Sequence, residues 1–266
     1  MGKGTVLPSE SQRFSDPETG RVIRQVTHHP SIHHHPFYYI PAYDDAMQWL
    51  FFVSHRTGTP QLFAEHRETE ELLQLTERDD INEWSLHPSH DGNHLYFTTT
   101  TGGWRVELAS LREECLIDFA GAKKSSGMVG AGMGTTTLSH DDRWWAIPVR
   151  RNSISQLLVV DTHTLESKVA CENDSIGHPQ FHPQDSNLIR YGGPYDRRIW
   201  VTHRDGTENR LIYDRDVSKK EWIVHECWRP HTREILTTNW PHGVMAIHID
   251  TGAWRWVTRF NAWHPM

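Results

Sequence analysis

Apolar residues fall in short runs broken by polar turns, as in LYF at 95–97, WAIPV at 145–149 and LLVV at 157–160. Runs of this length, alternating or solid and bounded by Asp, Thr, Gly and Pro, predict β-strands and little helix. One pattern recurs six times as strand, turn and strand: FSDPETGRVIRQVT (14–27), FAEHRETEELLQLT (63–76), VELASLREECLIDF (106–119), VVDTHTLESKVACEN (159–173), VTHRDGTENRLIYD (201–214) and IHIDTGAWRWVTRF (247–260). Anchored on Thr27, Thr76, Asp118, Cys171, Asp214 and Thr258, the copies are 49, 42, 53, 43 and 44 residues apart. A second pattern lies between them: HPSHDGNHLYF (87–97), SHDDRWWAIPV (139–149), HPQDSNLIRYGG (182–193) and RPHTREILTTN (229–239), with a weaker copy, AYDDAMQWLFFVS, at 42–54. Each period therefore holds about four short strands, the size of a propeller blade.

The expected fold is all-β: a single β-propeller domain over 1–266, with about five blades of an expected seven-bladed ring. A β-sandwich has the same strand content but no whole-unit repeat. Trp84, Trp104, Trp144, Trp200 and Trp228 suit packing between blades. The chain opens on an outer hairpin, so residues 14–27 are expected to belong to the last blade. It stops at NAWHPM, where another repeat should begin, so the domain is expected to be incomplete at its C-terminus.

Composition narrows the function. A net charge of −7 argues against nucleic acid, which a basic face would serve. A small anionic substrate stays open, because a local Arg/His cluster can bind it. No apolar run is long enough to span a membrane, and the N-terminus has no apolar signal core. A cytoplasmic protein is the expectation, with self-association into a homo-oligomer left open. Cys115, Cys171 and Cys227 are scattered without CxxC spacing, which excludes a disulfide framework and a cysteine–zinc site.

The 20 histidines are the chemical anomaly. Segments just before an inner strand open onto a propeller's channel. Here they read SIHHHPFYYIP (31–41), INEWSLHP (81–88), GMVGAGMGTTTLS (127–139), IGHPQFHP (176–183), IVHECWRP (223–230) and NAWHPM (261–266). His178 and His225 occupy matching repeat positions, each seven residues before Asp185 and Thr232 respectively. His264 continues the register, and one or more of His33, His34 and His35 does so in the first blade. Convergent imidazoles suit a divalent metal, a general base, or both, although each alone could be a turn residue bonding backbone. His178, His34 and Asn82 are the candidate substrate-binding residues. His55, His66, His163 and His231 are expected at the surface, in outer strands or turns. HHPSIHHHP is interrupted by Ser, Ile and Pro and reads as native sequence. GMVGAGMG (127–134) lacks the Lys-Ser/Thr of a phosphate loop and reads as a close backbone approach at the channel mouth. There is no GxSxG elbow. In GGPYDRRIW (192–200), Arg197 and Arg198 should point to opposite faces, one toward the channel, where it could grip a carboxylate.

These segments resemble a known family. GHPQFHPQDS, RYGGPYDRRIWVTHRDGTENR and VHECWRP, with the opening KGTVLPSESQRFSDPETGRVIRQVT and a His-rich first blade, are similar to the oligogalacturonate lyases. The resemblance implies a seven-bladed propeller that cleaves short oligogalacturonides by β-elimination with a divalent metal, typically Mn2+. It places the family's arginine of D-x-R-x-W on Arg198, its catalytic histidine of H-E-x-W on His225, and one metal-binding histidine on His264. The other implied ligands sit in a Gln-x-His-x-His stretch that this sequence lacks. The chain alone is therefore expected to bind manganese weakly and to lack lyase activity.

The chemistry is coherent on its own terms. The C5 proton of a galacturonate is α to a carboxylate, and its removal adds charge to an anionic group. A cation on that carboxylate and Arg198 would stabilise the charge, and neutral His225 would take the proton. The rival readings are a non-catalytic TolB-like propeller serving as a protein-binding platform, and a lyase of the same family acting on another uronate.

Overall fold

The computed structural model describes residues 1–119, 123–124, 134–219 and 221–265. Residues 127–133 of the Gly-rich run lie outside the described residues. The chain divides into two compact units, Met1–Cys115 and Leu116–Met266.

The first unit holds a five-stranded sheet in the order Val6–Leu7, Leu72–Gln74, Gln61–His66, Trp49–Ser54 and His33–His34. A four-stranded sheet follows, made of His87–Pro88, His94–Thr98, Gly102–Glu107 and Glu113–Asp118, the last strand running past the unit boundary. Gln12–Ser15 and Val22–Gln25 form a separate two-stranded hairpin among the described residues, with Phe14, Val22 and Ile23 exposed.

The second unit holds three sheets. In the first, Trp144–Arg151, Ile154–Asp161 and Ser167–Asn173 run in order, and both Lys123–Lys124 and Thr137–Leu138 pair with Trp144–Arg151. The others are four-stranded meanders: Gly177–His182, Asp185–Gly192, Ile199–His203 and Arg210–Tyr213, then Trp222–Trp228, Glu234–Trp240, Gly243–His248 and Trp254–Thr258. All six repeats read from the sequence are strand pairs. Three of the turns close on the side chains of Asp16, Asp161 and Asp205, as where Asp161 accepts from the His163 and Thr164 amides at 2.9 and 3.2 Å. The one helical element described is the 3-10 turn Val217–Lys219, and no helix is long and apolar enough to cross a membrane.

Middle strands bury both faces, which is why their sequences read as solid apolar runs. In the second unit Phe181, Ile189 and Tyr191 pack with Ala146, Leu157 and Val159. Ile199, Val201 and Ile212 pack with Ile223, Ile235, Met245 and Ile247. Each Val, Leu, Ile, Phe or Met side chain among them contributes about 1.5–3 kcal/mol on burial. Trp228 belongs to the second of these cores, and Trp104, Trp144 and Trp200 pack against core clusters as expected. Trp84 departs from the expectation: its indole stacks on the His34 ring at 4.4 Å.

Candidate active site

Two strands of the second unit each carry one extra residue. Gly177 lies opposite Gly192 and Gln180 opposite Arg190, so three steps on one strand face two on the other. The same offset separates Val224, opposite Thr238, from Cys227, opposite Leu236. These are β-bulges, and the residues they set off are His178, with φ of 50°, and His225, with φ of 56°. A left-handed backbone suits glycine. On histidine it costs about 1–3 kcal/mol. The matching histidines of the repeats therefore also share an unusual backbone.

Beneath them lies a buried ion network. Glu226 is fully buried, and Arg198 forks onto it, with Nε donating to Oε1 at 2.7 Å and Nη2 to Oε2 at 3.4 Å. Arg190, also fully buried, places Nη1 at 3.5 Å from Oε2, donates from Nη2 to the Glu226 carbonyl, and donates from Nε to Gln180 Oε1 at 3.0 Å. The Arg198 guanidinium lies over Gly192, where a Cβ would sit 2.8 Å from its central carbon. Arg197 turns the other way, exposed and 3.3 Å from Asp174, so the two arginines divide as expected. They do so from the turn before Ile199–His203 rather than from the strand.

Two guanidiniums on one carboxylate leave a buried excess of positive charge. Burial pushes the Glu226 carboxyl up, but Arg198 and Arg190 outweigh it and hold it below the ordinary range. Burial, then Arg198, Arg190 and His225, push His178 well below the ordinary histidine value. His225 is half-buried and also lowered, first by burial and then by His264 and Arg198, against the raising influence of the Trp263 carbonyl and Glu226. The Trp263 carbonyl lies 2.7 Å from His225 Nδ1, so Nδ1 carries the proton and Nε2 the lone pair. His225 is thus a neutral imidazole with its basic nitrogen defined. The His264 ring, exposed, meets it edge-on at 4.4 Å between centroids.

The first unit holds the other two candidates. His34 lies opposite Val53, and the Asn82 amide donates to the Thr98 carbonyl. Counting two residues back from His87, Thr137, Gln180 and Cys227, the positions paired with Tyr96, Ala146, Arg190 and Leu236, reaches Ser85, Thr135, His178 and His225. The same count from the Tyr43–Leu50 bridge reaches Pro41. The expected register of His33, His34 and His35 with His178 is therefore not met: the longer segment before that bridge carries them upstream. Asn82 caps its own turn, its Oδ1 accepting from the Trp84 amide at 3.3 Å. His34 instead joins His55 and Glu83, with Nε2 to Oε2 distances of 3.4 and 2.7 Å. His55, expected in an outer strand or turn, follows the inner strand Trp49–Ser54 and is partly buried.

Among the described residues this triad is the one set of three metal-ligating groups, its ligand atoms within 4.8 Å of one another. His264 with His225 offers two imidazoles and no third ligand, so the described residues do not make a full divalent shell at His264. Sequence reasoning missed Glu226 and Arg190. Their signal is a Glu inside H-E-x-W and an Arg on a strand that otherwise reads as core.

A family profile described as oligogalacturonate lyase matches residues 1–250. An oligogalacturonide lyase of Pectobacterium atrosepticum is 25% identical over 249 residues, spanning 86% of this chain and 64% of that protein. An oligogalacturonate lyase solved in complex with manganese superposes with a TM-score of 0.84 at 22% identity, over 98% of this chain and 76% of that one. Another, from Vibrio parahaemolyticus, superposes at 0.81 and 20% identity over 97% and 74%. The chain thus spans a little under two thirds of the curated relative it matches. The four-stranded sheets are blades of a β-propeller. With the family profile matching nearly its whole length, this chain belongs to the oligogalacturonate lyase family.

Proposed function

We propose that the protein is an oligogalacturonate lyase that cleaves short oligogalacturonides by β-elimination. His225 Nε2 takes the C5 proton, the C4–O bond breaks, the departing sugar keeps the oxygen and gains a proton, and a C4=C5 double bond remains. The observation that carries the reading is the pairing of a neutral, tautomer-defined imidazole with a buried cationic cluster. Arg198 supplies positive charge toward the substrate carboxylate as it gains charge, held in orientation by Glu226. His178, on the matching bulge, orients the sugar, and His34 and Asn82 are the further substrate-binding candidates.

Manganese, or another divalent ion, is the proposed cofactor, with His264 as one ligand, and when bound it supplies positive charge to the carboxylate. The described residues complete no shell for it there, and the proton transfer is assigned to side chains alone.

The test is digalacturonate turnover by a chain that also carries the Gln-x-His-x-His stretch, followed by the ultraviolet absorbance of the unsaturated product with manganese in excess. His225→Ala should lose about 10²–10⁴ in rate while keeping substrate binding. A variant retaining more than half of the turnover would remove His225 from the role. No absorbance from any uronide, with a chain that also carries the Gln-x-His-x-His stretch, would end the lyase reading.

A further inference from the structure

Arg215 lies in the second unit, 6% exposed, between the fourth strand of one meander and the 3-10 turn that precedes the next. Its guanidinium stacks on Tyr195 at 3.5 Å, yet Nε and Nη1 are buried without a hydrogen-bond partner. Among the described residues no carboxylate pairs with it. Asp216 is turned to Ser218 and Lys219, and Glu221 accepts from Tyr213 and Asn239. A buried cation with open donors is costly and rare, because burial removes its water without replacing the lost hydrogen bonds.

This arginine faces a cavity of about 710 Å³, lined also by Tyr195, Lys219, Trp222, Trp240 and His242. The wall is aromatic and its charged groups are basic, a combination that fits a carboxylated sugar: acid to guanidinium, apolar ring face to indole. The cavity adjoins the reaction site through aromatic contacts. Trp222 meets Trp263 edge-on at 5.6 Å, and Trp263 meets His225 at 4.7 Å.

We infer that this cavity is a uronate subsite in which Arg215 holds the carboxylate of the sugar next to the one being cleaved, with Trp222 and Trp240 against its ring. The inference rests on the lyase reading for the identity of the sugar. It separates two tasks: Arg198 meets the carboxylate that changes charge during reaction, and Arg215 meets one that does not. Arg215 and Trp222 should therefore act on binding and leave the bond-breaking step largely alone.

Calorimetry of trigalacturonate and neutral galactotriose, on the whole chain and on Arg215→Gln and Trp222→Ala, tests it. The unaltered protein should bind the acidic sugar and not the neutral one, and each variant should weaken that binding at least about tenfold. Trp222 is exposed at the cavity edge, so its variant informs even where Arg215→Gln disturbs folding. Trigalacturonate binding within twofold of the unaltered protein in both variants would overturn the subsite and leave the lyase reading standing. So would equal binding of galactotriose. Intact, Arg215-dependent binding of trigalacturonate would uphold the subsite whether or not unsaturated product forms.

Discussion

Glu226→Gln removes the one negative charge from a cluster that otherwise holds two guanidiniums. Glutamine keeps the shape and one acceptor oxygen, so packing is nearly unchanged and the loss is electrostatic. Arg198 Nε at 2.7 Å and Arg190 Nη1 at 3.5 Å would then face each other's charge across an uncharged amide, with both arginines and the residue between them buried. Removing one partner of a buried ion pair destabilises by about 3–5 kcal/mol, a large part of the 5–15 kcal/mol a domain possesses. Urea denaturation should show the midpoint falling steeply, while Arg198→Met, which leaves Glu226 paired with Arg190, should cost less. The carboxyl is lowered in the folded state, so its stabilisation is fully present above the ordinary carboxylate range and is lost as pH falls through the lowered value. The Gln variant should therefore lose stability at neutral pH and show a weaker dependence on acid. A variant within 1 kcal/mol of the unaltered protein would refute the network as a source of stability.

Arg198→Lys should abolish most turnover, because an ammonium cannot reproduce the fork onto Glu226, while exposed Arg197→Lys should change little; the reverse ranking would show that the wrong arginine faces the substrate. Gly192→Ala drives a Cβ to 2.8 Å from the Arg198 guanidinium and should lower turnover with about 1–3 kcal/mol of destabilisation, and unchanged kinetics would mean that Arg198 is not positioned by that contact. Because His225 is held below the ordinary histidine value of 6.5, the rate should rise as this group deprotonates, with a midpoint under that value; a midpoint above it would assign the limb to another group.

Strands, turns and the matched positions of His178 and His225 were legible because each repeats a local pattern. Alternation fixes a strand from a few neighbouring residues, and a repeat multiplies that signal. The Arg190–Glu226 and Arg198–Glu226 pairs were not legible, since they join residues 36 and 28 apart and depend on how two meanders pack. The His34–His55–Glu83 group was hidden likewise, its members belonging to three chain segments. The histidine register failed in the first sheet for a local reason. There the segment between His33–His34 and the Tyr43–Leu50 bridge is longer than its counterparts, and repeat counting assumes equal lengths.

The bulges at His178 and His225 have a consequence for how such a site can change. A residue set outside the ladder owes no partner across the sheet, so its identity is not constrained by cross-strand pairing. The corresponding positions carry Ser85 and Thr135 in other sheets, both fully buried, and the residues two and three places after each pair with the next strand as Gln180–Phe181 and Cys227–Trp228 do. The blade thus behaves as a socket whose frame is constant and whose insert is exchangeable. Chemistry can be moved from blade to blade by altering single inserts, while the frame that folds the protein is left as it is.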